Sequence, residues 1–266
     1  VTFNVTVEDP DSKGPTIILL NPHNNTTGRS EEIIDFDIGD ENGLDKVFYN
    51  WDNTQNQTFS TPYDIAFNNT DGDHILRVYA NDTLGNQAYS DFNFYTDDTI
   101  PNITITNTYN NTYHKTGAEI AFEFADVSGI SWGKYSWDNG AIQQLSTSMP
   151  IIQIPDGEGV HSLGLNVSDT AGNINSTIYN FTTDNTSPEI LLSTPNEDSY
   201  LRNGSVIDFA VDDNYFLNTT EYTWEDEQYP AYLPLNSPFD LIVAEPDGFK
   251  NVTIRAIDKA GNVATR

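Results

Sequence analysis

Carboxylates dominate the chemistry available to this sequence. Asp and Glu number 40 against 11 Lys and Arg, for a formal net charge of -29 at pH 7. The Asp residues recur in three sets. Asp9, Asp11, Asp40, Glu41 and Asp82 form the first, and Asp97, Asp98, Asp126 and Asp169 the second. Asp184, Asp212, Asp213 and Asp258 form the third. Several hard oxygens brought to one point suit Ca²⁺, which takes about 6 to 8 oxygen ligands. The competing role of each Asp is to cap the backbone of its own turn. Paired carboxylates also serve glycoside hydrolysis. An active site should be singular, however, and these sets recur.

Other catalytic readings are weaker. There is no Cys, so thiolate nucleophiles, thiolate metal sites and disulfides are excluded. Gly129-Ile130-Ser131-Trp132-Gly133 spells G-x-S-x-G. That motif requires a strand-to-helix elbow, and neither sister segment has a Ser at the corresponding place. His74 and His161 fall at similar points, where a third copy has Lys250, which reads as a polar strand entrance. His23 and His114 lack metal-ligand spacing. The chain is expected to be no enzyme. Its acidity disfavours nucleic acid, which recruits Lys and Arg, and anionic lipid. No apolar run approaches the roughly 20 residues of a spanning helix, so no membrane insertion is expected of this segment.

The elements that position these groups are written three times. The turn D-x-x-G-N occurs at Asp82–Asn86, Asp169–Asn173 and Asp258–Asn262, a period of roughly 87 to 89 residues. Tyr49 and Trp51, Tyr135 and Trp137, and Tyr222 and Trp224 recur in phase, as do Pro15, Pro101 and Pro188. Between these landmarks apolar residues alternate. Ile34, Phe36 and Ile38 match Ile120, Phe122 and Phe124, and then Ile207, Phe209 and Val211. Leu76, Val78 and Ala80 match Leu163, Leu165 and Val167, and then Val252, Ile254 and Ala256. A period of two turns one face of a strand to a core. About seven such strands per repeat predict an antiparallel β-sandwich. In that sandwich the strand Trp residues sit in the core, sealed between facing sheets.

These motifs, Pro-x-Ile, Tyr-x-Trp-(Asp/Glu) and (Val/Ala)-x-Asp-x-x-Gly-Asn, resemble the immunoglobulin-like repeats of bacterial and archaeal surface proteins. The resemblance covers nearly the whole chain. It implies an all-β chain of three tandem immunoglobulin-like antiparallel sandwiches end to end, a rod on the order of 120 Å. Boundaries are expected at 1–13 (an orphan strand and linker), 14–99, 100–186 and 187–266. The resemblance implies spacers, adhesin stalks or surface-layer modules, and calcium held between domains. In such a sandwich the entering chain, the B–C loop and the F–G turn share one end, which is why each Asp set is expected to meet.

The ends depart from the repeats. Phe3, Val5 and Val7 read as a last strand without a domain, and the third repeat has little of its own last strand. Two readings stand. One is an excerpt of a longer array. The other is donor-strand exchange, in which residues 1–7 of one copy complete the third sandwich of the next and build a head-to-tail filament. The expected partner is therefore the chain itself or more of its repeats.

Asn-x-Ser/Thr sequons number about fifteen where composition alone predicts about five. They begin at Asn4, Asn24, Asn25, Asn56, Asn68, Asn81, Asn102, Asn110, Asn166, Asn175, Asn180, Asn203, Asn218 and Asn251, with Asn185 crowded by Pro188. The excess predicts a glycoprotein of the cell surface. With no disulfides, it suggests an archaeal one. The alternative function is an adhesin gripping a glycan or protein through loop aromatics such as Trp132, Tyr229 and Tyr232.

Overall fold

The computed structural model describes residues 12–224, 231–244 and 247–266. Phe3, Val5, Val7, Asn4, Asp9, Asp11 and Tyr229, named above, lie outside these residues. The chain is all-β, a set of tandem β-sandwiches. Among the described residues no helix is long and apolar enough to cross a membrane.

Repeat 1 contains β1 (Thr16–Asn21), β2 (Thr26–Gly28), β3 (Ile33–Gly39), β4 (Leu44–Trp51), β5 (Gln57–Thr58), β6 (Asp64–Ala66), β7 (Gly72–Asp82) and β8 (Gln87–Thr96). One sheet has the order β1-β3-β6 and the other β2-β8-β7-β4-β5. Repeat 2 contains β9 (Asn102–Ile105), β10 (Thr112–His114), β11 (Glu119–Ala125), β12 (Ile130–Trp137), β13 (Gln143–Leu145), β14 (Ile151–Gln153), β15 (Gly159–Asp169) and β16 (Ile174–Thr183). Its sheets run β14-β11-β9 and β10-β16-β15-β12-β13, the same plan.

Repeat 3 contains β17 (Glu189–Thr194), β18 (Val206–Asp212), β19 (Leu217–Trp224), β20 (Leu233–Pro234), β21 (Asp240–Ile242), β22 (Val252–Asp258) and β23 (Val263–Thr265). Its sheets are β17-β18-β21 and β20-β19-β22-β23. β23 has 3 residues where β8 has 10.

Pairing is antiparallel throughout repeats 1 and 3 except at β2 with β8, which is parallel; in repeat 2, β11 pairs antiparallel with β14 and β10 parallel with β16. These short parallel strands were not anticipated from sequence. Tertiary contacts gather the chain into two compact units. The first runs to Ile103 and takes in Phe124–Gly133 and Asn166–Ser176. The second holds Thr104–Glu123, Lys134–Leu165 and Thr177–Arg266. The division therefore passes through repeat 2 rather than beside it.

Alternation builds the cores. Ile34, Phe36 and Ile38 on β3 face Leu76, Val78 and Ala80 on β7, all buried. Ile207, Phe209 and Val211 face Ile254 and Ala256 in repeat 3. The strand tryptophans do not occupy the centre. Trp51, Trp137 and Trp224 are half-buried, and Trp51 and Trp224 pack against the core rather than inside it. Aliphatic side chains and phenyl rings fill the middle because they close the space between two pleated faces with no polar atom to satisfy. Trp51 instead meets Phe94 and His74 edge-on, at 6.1 and 6.0 Å between centroids. Ile34 is fully buried, so Ile34→Val should cost about 0.5–1.5 kcal/mol in a urea melt by removing one methyl from a close-packed core.

Candidate metal centres

The same alternation explains the placing of the key carboxylates. On β7 the inward positions run Leu76, Val78, Ala80 and then Asp82, which is buried. Asp169 ends β15 in the same way, and Asp258 ends β22. Each Asp thus points inward just where the chain must turn. The turn glycine reaches a positive φ, +91° at Gly172 and +88° at Gly261, a region only glycine enters freely. Asp82 accepts bonds from Leu84 N at 2.9 Å, Asn86 N at 2.8 Å and Asn86 Nδ2 at 2.7 Å. Burial opposes its charge, but these bonds outweigh burial, and its carboxyl lies below the ordinary value.

Asp169 and Asp258 receive the same bonds from Asn173 and Asn262. The Asn side chains then reach the entering segment. Asn173 Nδ2 donates to Asp97 O at 2.8 Å, and Asn262 Nδ2 to Asp184 O at 2.9 Å. This bond holds Asp97 and Asp184 beside the turn. The third member comes from the loop after the second long strand. Asp126 Oδ1 accepts from Ser128 N, and Asp213 Oδ1 from Tyr215 N. The result is two triads, Asp97–Asp126–Asp169 and Asp184–Asp213–Asp258, each with one oxygen per residue within 4.8 Å of the others.

Self-capping does not account for these triads. Asp97 and Asp184 are 2% and 1% exposed. Their Oδ1 atoms accept from Thr99 N and Thr186 N. Their buried Oδ2 atoms, with Asp213 Oδ2, have no partner. An unsatisfied buried carboxylate oxygen is expensive. Burial, then the charges of Asp258, Asp213 and Glu158, hold the Asp184 carboxyl above its ordinary value despite the bond from Thr186 N–H. A divalent cation bound there would supply charge compensation and a partner for the free oxygens.

Other residues of the expected sets lie apart. Asp98 Oδ1 accepts from Ser30 N, away from the triad. Asp40 Oδ1 accepts from Asn42 N, and Asp82 belongs to no described triad. Asp213, not Asp212, is the third member of its triad.

Asp71, Asp91 and Asp138 lie below the ordinary value too. Asp71 accepts from Asp98 N and Thr99, and Asp91 pairs with Arg77. For Asp138, burial is outweighed by the bond to His161 and the N–H of Ser162. A lowered folded pKa adds stability above the unfolded value that is lost as pH falls through the folded one. The raised Asp184 has the opposite sign: it destabilises increasingly as pH climbs past 3.8. Melts of metal-free protein should therefore show stability falling between about pH 5 and pH 2, as the four lowered groups, Asp71, Asp82, Asp91 and Asp138, outnumber the two raised ones, Asp64 and Asp184.

The histidines are structural clamps. His74 Nδ1 meets Asp52 Oδ2 at 2.7 Å and Nε2 meets Thr70 O at 2.7 Å, while Asp52 Oδ1 accepts from Ile75 N. His161 repeats this with Asp138 and Ser162 N. Asp52 and Asp138, each directly after a strand Trp, are the partners that sequence reasoning missed, and the Trp-Asp pair of these two repeats was the available signal. Ser131 lies on β12, not at an elbow, among residues of one strand.

Of the sequon asparagines, Asn24, Asn25, Asn56, Asn102, Asn110, Asn203, Asn218 and Asn251 are exposed. Asn81, Asn166 and Asn180 are half-buried. Asn68, Asn175 and Asn185 commit the amide nitrogen that glycosylation uses, to Asp52 Oδ2, Pro101 O and Thr116 Oγ1. Tyr232 carries the Arg255 guanidinium on its ring at 4.3 Å, so that face is already covered.

No family model matches the chain, and no curated protein matches it. Solved structures do. Domains of titin share 11% identity at a TM-score of 0.42, covering 94% of this chain and 95% of that one. Fibronectin(III)-like modules of Clostridium thermocellum CbhA share 15% at 0.40, covering 63% and 94%. A tetra-tandem repeat in the extending region of a large adhesion protein shares 16% at 0.31, covering 95% and 72%. These likenesses are too distant to carry an argument about ligand or activity, and the fold rests on the sheets themselves.

Proposed function

We propose that this chain is a non-enzymatic structural module of an extracellular surface protein. In this reading 14–99, 100–186 and 187–266 are its folding modules, and calcium in the two Asp triads stiffens the turns between them. The observation that carries it is recurrence. The same triad, with the same Asn bond to the entering segment, forms after repeat 1 and again after repeat 2. A catalytic centre has no reason to be copied at successive joints; a mechanical one does.

An acidic, glycosylated exterior suits a surface layer or stalk, since like charge resists collapse onto neighbours. Protease shaving of intact archaeal cells expressing the protein, followed by mass spectrometry, tests this. Peptides released without lysis, with glycan on Asn203 and Asn218, are expected. Recovery only after lysis, with bare Asn throughout, sinks the surface reading.

Strand exchange rests on the spacing of the first residues. Trp51 meets Phe94 of β8 and Trp137 meets Phe181 of β16, each at 6.1 Å. Phe3 and Val5 have the spacing of Phe92 and Phe94, as a donor strand beside Trp224 requires. Deleting residues 1–8 should abolish polymer while leaving a folded monomer; unchanged assembly by light scattering rejects the exchange.

A further inference from the structure

Repeat 2 holds a cleft of about 490 Å³ beside Tyr135 and Trp137. Ile154, one of its lining residues, stands where repeat 1 has a ring. In repeat 1 the equivalent side of the sandwich is filled by rings. Phe59 stands edge-on to Tyr49 and Tyr63 with centroids 5.2 and 5.4 Å away, and Phe67 meets Phe94 at 5.1 Å. Backbone bonds identify the counterparts. Phe36 N donates to Tyr63 O as Phe122 N does to Pro150 O, and Phe67 N donates to Glu32 O as Ile154 N does to Ala118 O. The hydroxyls of Tyr49 and Tyr135 donate to Gln57 and Gln143, which sets Leu145 in the place of Phe59. Leucine, proline and isoleucine thus stand where repeat 1 has three aromatic rings. Of the three, Ile154 lines the cleft, and its side chain fills less of that space than a phenyl ring would.

The chemistry of the cleft narrows its occupant. No Lys or Arg lines it, and the chain carries a charge of -29, so an anion is disfavoured. Asp156 is its one carboxylate, too few oxygens for a cation that needs about 6 to 8. What remains is two aromatic side chains, two apart on β12, facing the amides of Gln143 and Gln153 and the exposed carboxylate of Asp156. Rings take the C–H face of a sugar, and amides and carboxylate take its hydroxyls. The volume falls within the range of about 300–1,000 Å³ usual for small-molecule sites.

We infer that the repeat 2 cleft binds a neutral oligosaccharide. This goes beyond the structural reading and is independent of the cation triads, since no lining residue belongs to either. Calorimetry on the whole chain tests it with hexasaccharides of glucose, mannose and N-acetylglucosamine, a heparin fragment and an uncharged hexapeptide. At least one neutral saccharide should bind, and the heparin fragment should not. Asp156→Ala and Gln153→Ala, both at exposed positions, should each weaken binding about tenfold with the melting temperature unchanged. The inference is overturned by no saccharide binding, by equal binding of heparin, by preference for the peptide, or by affinity that neither substitution moves.

Discussion

Calcium added to chelator-treated protein should raise its unfolding temperature, and Asp184→Asn should remove the part of that response owed to the second triad. A ligand that binds only the folded state stabilises it by about 2.7 kcal/mol at a hundredfold excess over its Kd, for each site. Two triads then give on the order of 5 kcal/mol if the chain unfolds in one step. Asp184→Asn keeps the acceptor for Thr186 N but removes a buried charge beside Asp213 and Asp258. The variant should therefore be more stable than the parent without metal and less stable with it. That crossing of sign separates a metal ligand from a capping residue, whose loss destabilises under both conditions. Asp97→Asn should behave likewise at the first triad. Calorimetric melts with and without chelator decide the matter, and identical curves for the parent protein in both would reject the cation.

Asp82→Ala should cost about 3–5 kcal/mol, whatever the metal content. Asp82 is 2% exposed and holds two N–H groups and the Asn86 amide in one turn. Bonds to a charged acceptor contribute about 1.5–3 kcal/mol each, and the stranded donors add their own desolvation cost. Asp82 is the clean test because it belongs to no described triad. At Asp169 or Asp258 the same substitution also relieves repulsion between carboxylates, which offsets part of the loss. A chemical-denaturation midpoint unchanged by Asp82→Ala would mean that the turn closes without its cap. The equivalent turns of the other two repeats would then need a different account.

Much of this was legible in the sequence because strand period and turn chemistry are local. The alternation of Leu76, Val78 and Ala80 announced an inward face, and D-x-x-G-N announced the turn that follows it. Together they implied that the turn Asp points inward, since two-residue periodicity carries straight on from Ala80 to Asp82. The Asp sets were legible only in part: Asp97, Asp126 and Asp169 meet, as do Asp184, Asp213 and Asp258, and the first set forms no triad among the described residues.

Tertiary structure decided which members meet. Asp98 and Asp212 sit beside Asp97 and Asp213 in the chain, and no composition or spacing argument separates neighbours whose side chains point to opposite faces. The Asn173 and Asn262 bonds to the backbone carbonyls of Asp97 and Asp184 hold the entering segment beside the turn, and so bring those two carboxylates into the triads. The parallel strands β2 and β10 were beyond reading for the same reason: three residues hold no periodicity, and their partners lie some seventy residues away. The half-buried tryptophans and the repeat 2 cleft depend on how volumes from distant strands fill one space. That filling is set by packing across the sandwich, a property no single segment contains.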